Sequence, residues 1–195
     1  PAGEREMFPQ FDCFLNLGGI ANFSFRKGSI MQACDVCPCN LALNELAGRT
    51  GKLFDVNGEL SRSGKLNMNL LDALNALTFY EQEMPKSLGK EWVSSVFMNT
   101  VDKYDLPVAD ALRTLVEHIA IQVSAHIARY SGTERFMVTG GGAHHTYLVE
   151  RLKNNCMSEP VIPGRELIEF KEALIFAYLG FLRITGQPNV LSSVT

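Results

Sequence analysis

The chain has no surplus of positive charge. Its 18 Lys and Arg stand against 21 Asp and Glu, a formal net charge of −3, and no long run of one sign marks a charged tail or a nucleic-acid face. No apolar run approaches the roughly 20 residues that a bilayer-spanning helix needs. The opening stretch Pro1-Ala2-Gly3-Glu4-Arg5-Glu6 is polar and lacks the apolar core of a secretory leader. One tryptophan and five tyrosines show no stacking array for single-stranded nucleic acid. Low-complexity stretches and short repeats are absent too. Cysteines number five, at 13, 34, 37, 39 and 156, and an odd count does not make a disulfide framework. With 46% hydrophobic residues, the chain reads as one sizeable core with reduced thiols, which fits a bacterial cytoplasm.

What is there alternates between strand and helix signals. Phe11, Cys13, Leu15 and Leu17 recur with period two and predict a strand. Gly18-Gly19 is a turn signal, Ile20 to Phe25 resumes an extended run, Arg26 to Ser29 is a second turn, and Ile30 to Ala33 reads as a third strand. Cys34 to Asn40 reads as a loop, with Asn40 as the N-cap of a helix that carries Leu43, Leu46 and Ala47 on one face and ends at Gly48 or Gly51. Asp55-Val56-Asn57-Gly58 reads as a turn, Leu66 to Leu77 as a helix, Met84 to Gly89 as a loop, and the stretch with Trp92 and Val96 as a short helix.

The clearest helix follows Pro107, where Val108, Leu112, Leu115, Ile119, Val123 and Ile127 form an amphipathic stripe through Tyr130. Phe136 to Val138 predicts a strand and Thr146 to Asn155 a helix. A short strand is expected at Val161-Ile162, and a last helix from about Phe170 to Arg183. The expectation is an α/β chain: a β meander, helices, then strand, glycines, helix, strand and helix.

Two glycine clusters could carry chemistry. Gly18-Gly19 between two strands lets a backbone approach phosphate oxygens closely, or is an ordinary hairpin turn. Gly140-Gly141-Gly142 between a strand and a helix leaves no side chain over the backbone, so a flat ring such as adenine could lie there near a helix N-terminus; the bland alternative is a flexible βα loop. Neither the G-x-x-x-x-G-K-S/T phosphate loop nor the G-x-G-x-x-G dinucleotide fingerprint is present.

Cys34, Cys37 and Cys39 could offer three thiolates to zinc or a redox C-x-x-C, but a fourth ligand and a thioredoxin context are missing; otherwise they are small residues filling a tight loop. His118 and His126 read as interfacial histidines, while His144 and His145 either flank a nucleotide or start a solvent-exposed helix. Lys86, Ser87, Lys90 and Glu91 alone read as a solvated polar surface.

Taken in order, these segments resemble the anhydro-N-acetylmuramic acid kinase family. Leu15 to Asn22 resembles its N-I/L-G-G-I-A-N hairpin, Asp35 to Asn40 its D-T-G-P-G-N loop, and Asp55 with Gly58, then Ser63-Gly64, its D-x-x-G…G segment. Pro85 to Glu91 resembles P-K-S-T-G-R-E, Val138 to His144 matches V-T-G-G-G-A-H, and Glu172-Ala173 with Phe176-Ala177 resembles the E-A-x-A-F-A helix. Pro188-Asn189 with Ser193-Val194-Thr195 resembles the terminal segment. Cys37 and Cys39 stand where the family loop has glycines, and His145-Thr146 where it has N-P.

The resemblance implies a ribonuclease H-like, actin-like ATPase lobe with a mixed β-sheet flanked by helices. Residues 1–195 would then be the single C-terminal, nucleotide-side lobe of a two-lobe kinase. The family's N-terminal lobe, with its G-T-S-L-D-G phosphate loop and its general-base aspartate, has no counterpart in this sequence, so this chain would hold no catalytic residue and be inactive alone. The implied reaction is ATP- and Mg2+-dependent phosphorylation of 1,6-anhydro-N-acetylmuramic acid with hydrolytic opening of the anhydro ring, in cell-wall sugar recycling.

Gly18, Gly19 and Asn22 would lie along the phosphates, and Gly140, Gly141 and Gly142 against adenosine. Asp35 and Asn40 would stand near the phosphate–sugar junction, Lys86 and Ser87 would shape the cleft, and Glu172 would face the substrate. The partners implied are the amino sugar and the chain's own N-terminal lobe, not nucleic acid or membrane, with a homodimer left open. A non-catalytic actin-like ATP-binding module, a zinc or redox protein on Cys34, Cys37 and Cys39, and an acetate- or N-acetylglucosamine-type kinase are the alternatives.

Overall fold

The computed structural model describes residues 2–28, 30–130 and 135–189; Ser29 of the second turn and Ser193-Val194-Thr195 of the terminal segment lie outside them. A five-stranded mixed sheet has the order β3-β2-β1-β4-β5. Its strands are β1 (Cys13–Leu17), β2 (Ile20–Lys27), β3 (Ile30–Pro38), β4 (Arg135–Thr139) and β5 (Glu159–Val161). β1, β2 and β3 form an antiparallel meander, while β4 runs parallel to both β1 and β5.

Side-chain alternation assigns the two faces. Cys13, Leu15 and Leu17 of β1, with Phe136 and Val138 of β4, enter the main core. Phe14 and Met137 point the other way, into a smaller core with Phe8, Phe11 and Met31. The main core is closed by α7 (Val108–Tyr130), which packs on α2 (Asn40–Gly48), α3 (Glu59–Ser63), α4 (Met68–Asn75) and α8 (Thr146–Asn155). The predicted stripe on α7 is buried as expected, Leu112, Leu115, Ile119 and Val123 completely. On the other side lie α1 (Ala2–Met7) and α9 (Arg165–Ile184), in contact with each other.

Several expectations are corrected. Cys34 to Pro38 is not a loop but the second half of β3. In the β2–β3 register Ala21 faces Cys37 and Asn22 faces Asp35, which leaves Val36 as an extra residue on β3. A bulge of this kind turns consecutive side chains to one face, and Val36, Cys37 and Cys39 are all fully buried in the main core. The broken alternation is what made the segment read as a loop.

Asn40 is the first residue of α2, not its cap, and its side chain is used elsewhere; Cys39 precedes the helix without a side-chain cap. The helix expected over Leu66 to Leu77 is shorter, because Asn67 caps it by accepting from Leu70 N–H at 2.9 Å. The short helix at Trp92 is one turn of α5 (Lys90–Trp92), continued by a π-helical stretch over Val93–Met98 into α6 (Asn99–Asp102). The last helix begins five residues early, at Arg165, and α1 had no apolar signal to betray it.

Candidate functional site

Parallel pairing of β1 and β4 brings the ends of both strands to one edge, and with them both glycine clusters. The chain after β3 is stitched to the first cluster: the N–H groups of Cys39 and Leu41 donate to Gly19 O, each at 3.0 Å, and Asn40 N–H donates to Gly18 O at 3.1 Å. The Asn40 side chain donates from Nδ2 to Leu17 O at 2.9 Å. Gly18, Gly19 and the start of α2 are therefore one rigid unit.

The second cluster packs against it. Gly140 has φ +84, and a Cβ there would stand 2.5 Å from Asn16 Oδ1 and 2.8 Å from Leu17 O. A Cβ on Gly142 would lie 2.7 Å from Leu17 Cβ. These two glycines are required by the close approach of the β4–α8 connection to β1. Gly141 differs: a Cβ would meet only Asn40 Nδ2, at 3.5 Å, and the residue lines an open cavity of about 520 Å3. The other walls are the first turns of α2 with Asn44, the loop Phe54 to Asn57, and Arg165 and Glu169 at the start of α9.

The loop wall is fixed from below. Asp55 is buried and accepts from Leu60 N–H at 2.8 Å, Ser61 N–H at 2.9 Å and the Ser61 hydroxyl. Gly58, at φ +75, presses on His145, where a Cβ would come within 2.4 Å of Cε1. His145 Nδ1 accepts from Leu148 N–H at 3.1 Å and caps α8, which places the proton of the neutral ring on Nε2, 3.6 Å from Asp55 Oδ2. Burial lowers the His145 pKa, against the opposing pull of Asp55. Of the two predicted histidine roles, His145 is neither exposed nor a free flank; it is a buried brace beneath the cavity, while His144 is exposed on the cavity wall.

Asn22, Asp35, Lys86 and Ser87 form a second, separate cluster, around a depression of about 300 Å3. Asp35 accepts from Asn22 Nδ2 at 3.0 Å, Ser87 Oγ at 3.2 Å and Leu88 N–H at 2.8 Å. The loop after Pro85 is thus anchored to the β2–β3 pair. Lys86 is not part of a solvated surface: it is buried, donates to Phe79 O at 3.3 Å and sits 4.6 Å over the Phe79 ring. Burial lowers its pKa.

Cys34, Cys37 and Cys39 pack in or against the core, and among the described residues no group of three His, Cys, Asp or Glu side chains is arranged to hold a metal. The Asp35 carboxylate is already held by three protein donors. Glu172 is exposed on α9 and belongs to neither depression, whereas Glu169, one turn earlier, lines the larger one. Phe54, Asn44 and Glu169 carry no signal in the sequence, because each is a single residue outside any motif.

A family model described as "Anhydro-N-acetylmuramic acid kinase" matches residues 6–195. A curated relative of that name from Saccharophagus degradans is 30% identical over 193 residues, covering 94% of this chain and 52% of the relative; the chain thus spans about half the length of the curated relative it matches. Among solved structures, the activator of the 2-hydroxyisocaproyl-CoA dehydratase from Clostridium difficile, with bound ADPNP, superposes with TM-score 0.58 at 13% identity, covering 98% of this chain and 68% of that one. Component A of (R)-2-hydroxyglutaryl-CoA dehydratase from Acidaminococcus fermentans gives 0.57 at 16% identity, covering 89% and 62%. At such identities the likeness is one of fold, and the fold is the actin-like ATPase type.

Proposed function

The chain belongs to the anhydro-N-acetylmuramic acid kinase family, and on that premise we propose that it forms the nucleotide-side lobe of an ATP-dependent sugar kinase. The substrate proposed is 1,6-anhydro-N-acetylmuramic acid, phosphorylated with hydrolytic opening of its anhydro ring, in cell-wall sugar recycling in a bacterial cytoplasm. The observation that carries the reading is that Asn40 and Gly141 line one cavity at the edge of an actin-like sheet, with the Gly18-Gly19 turn hydrogen-bonded to the Asn40 segment beside it. That a neighbour of the same fold holds ADPNP supports a nucleotide there.

In this reading Gly18 and Gly19 lie along the phosphates, with Asn40 at the hairpin and Gly141 against adenosine, while Asn22, hydrogen-bonded to Asp35, belongs with the second depression. Gly140 and Gly142 let that turn close on β1. Asp35, with Lys86 and Ser87, holds the second depression in shape for the sugar side. A Mg2+ ion would arrive on the ATP phosphates and keep much of its own water shell. Among the described residues of this chain no group of three His, Cys, Asp or Glu side chains is arranged to hold it.

The lobe reading has two supports. The curated relative carries about as much chain again. And α9 presents Phe170, Leu174, Phe181 and Ile184 to solvent at spacings of four, seven and three, an apolar stripe of the kind that packs on another element. We assign that stripe to the companion lobe, which would bring the general base for the attacking water. The test compares this chain with the full-length protein in calorimetric titration with Mg·ATP and in turnover of the anhydro sugar. The full-length protein is expected to bind and phosphorylate, and this chain alone to turn over nothing. Absence of nucleotide binding by the full-length protein would end the kinase reading.

A further inference from the structure

Phe54 is an exposed aromatic on a rigid loop. It keeps 53% of its surface accessible and yet lines the cavity beside Gly141. The loop beneath it cannot swing away, because Asp55 is held by three donors and Gly58 is pressed against His145. A large apolar ring on a fixed mount, half in water, presents a ready-made face for another flat ring.

Gly141 leaves open backbone along the same cavity. One turn into α2, Asn44 lines it as well, and its side-chain amide makes no hydrogen bond to the protein among the described residues. An amide offers a donor and an acceptor side by side, the pattern that matches the edge of adenine. The volume, about 520 Å3, lies within the range of small-molecule pockets.

We propose that Phe54 stacks on the nucleotide base and that the Asn44 amide reads the base edge. The inference rests on the nucleotide reading given above and adds its base-recognition residues. The phosphate side of the site, at Gly18-Gly19, plays no part in it, so the two can fail separately.

The test uses the full-length protein in calorimetric titrations with Mg·ADP, Mg·GDP, Mg·tripolyphosphate and the anhydro sugar. Phe54→Ala should weaken ADP about tenfold or more, the usual effect of losing one base–aromatic stack, and leave tripolyphosphate and sugar binding unchanged. Phe54→Trp should keep ADP affinity and show indole fluorescence that responds to ADP but not to tripolyphosphate. Asn44→Leu should bring ADP and GDP affinities closer together. Unchanged ADP binding by Phe54→Ala overturns the stacking role. An equal loss of tripolyphosphate binding shows that the loop acts through structure, and overturns it too. A loss confined to the sugar titration gives the cavity to the sugar and overturns it in another way. If the wild-type protein binds no ADP at all, the nucleotide reading falls and this inference with it.

Discussion

Lys171 Nζ lies 2.7 Å from the Glu4 carboxylate, joining the first helix of the chain to the last across 167 positions. The same ammonium donates to Thr139 Oγ1 at 2.7 Å, and Thr139 is the last residue of β4, directly before Gly140. Glu4 also accepts from Ser24 Oγ at 3.1 Å. The helix pair α1–α9 is thereby tied to the strand that delivers the glycine turn.

Removing one partner of this buried pair leaves an uncompensated charge. Lys171→Met should cost about 3–5 kcal/mol in urea unfolding, and adding Glu4→Leu should return most of that loss. Burial, the largest influence, raises the Glu4 pKa, but the attraction and hydrogen bonding around it, led by Lys171 and joined by Ser24, together outweigh it, and the net shift is downward. The folded value is thus below the unfolded one. The pair's contribution is present above about pH 4.5 and is lost as pH falls through the lower folded value. A double variant as unstable as Lys171→Met alone would show that the pair is not the source.

The three glycines of the β4–α8 connection should separate in their effects. Gly140→Ala and Gly142→Ala force contacts of 2.5 Å and 2.7 Å against β1, and each should lose about 1–3 kcal/mol of stability. Gly141→Ala has room within the fold, its nearest contact being 3.5 Å. Its melting temperature should stay near that of the wild type while Mg·ADP affinity falls, because the added methyl stands in the cavity. Thermal melts paired with calorimetry decide it, and a Gly141→Ala protein that unfolds early would contradict this division of labour.

Much of this edge was legible in advance. Residues whose neighbours in sequence are also neighbours in space, such as the period-two run of β1, the stripe on α7 and the glycines after β4, gave their elements directly. The bulge at Val36 was not legible, since it arises from register against β2 and cancels the alternation that announces a strand. Nor was the difference among the three glycines, because Leu17 and Asn16 impose it from another strand. Lys86 read as surface because the Phe79 carbonyl and the Phe79 and Tyr80 rings, which make its burial tolerable, are set around it only by the fold. The cavity's Phe54 and Asn44 belong to no motif, and only the fold sets them around one space.

Buried histidines should make stability sensitive to mild acid, His118 and His126 most of all. Burial lowers His118 from 6.5 to about 3 and His126 to about 4. His118 is held neutral between Tyr80 OH at 2.8 Å and Asn75 Oδ1 at 2.7 Å. Because the folded values lie below the unfolded ones, the unfolded chain takes up protons first. Stability is full above about pH 6.5 and falls as pH drops from there toward about pH 4, by up to about 1.4 kcal/mol for each ring per step of one in pH. Denaturation midpoints measured from pH 7.5 to 4.5 should show this slope, and His118→Gln should flatten it. A slope unchanged by that variant would assign the acid sensitivity to other groups.

Cys34 and Cys37 of β3, and Cys39 directly after it, should be chemically silent until the chain opens. Burial pushes the Cys34 thiol up to about 11 and Cys39 to about 12, while Cys37 is raised well above its ordinary value, with Cys39 adding to the burial effect. The thiolate is the reacting species, and a thiol that holds its proton this tightly exposes only a trace of thiolate at neutral pH. Against an unfolded thiol near about 8.5, these positions should label with an aromatic disulfide reagent at least about a hundredfold more slowly in the native chain than in urea, before access is considered. The sequence pattern C-x-x-C-x-C also allowed a zinc or redox centre, and the same experiment separates the readings. A metal or redox site requires thiolates that can be reached, so fast native labelling at Cys37 or Cys39, together with stoichiometric zinc in the purified protein, would overturn the packing account. Slow labelling with all five thiols released in urea would leave the bulged strand, filled by two small apolar sulfur side chains, as the reason cysteine stands at both positions.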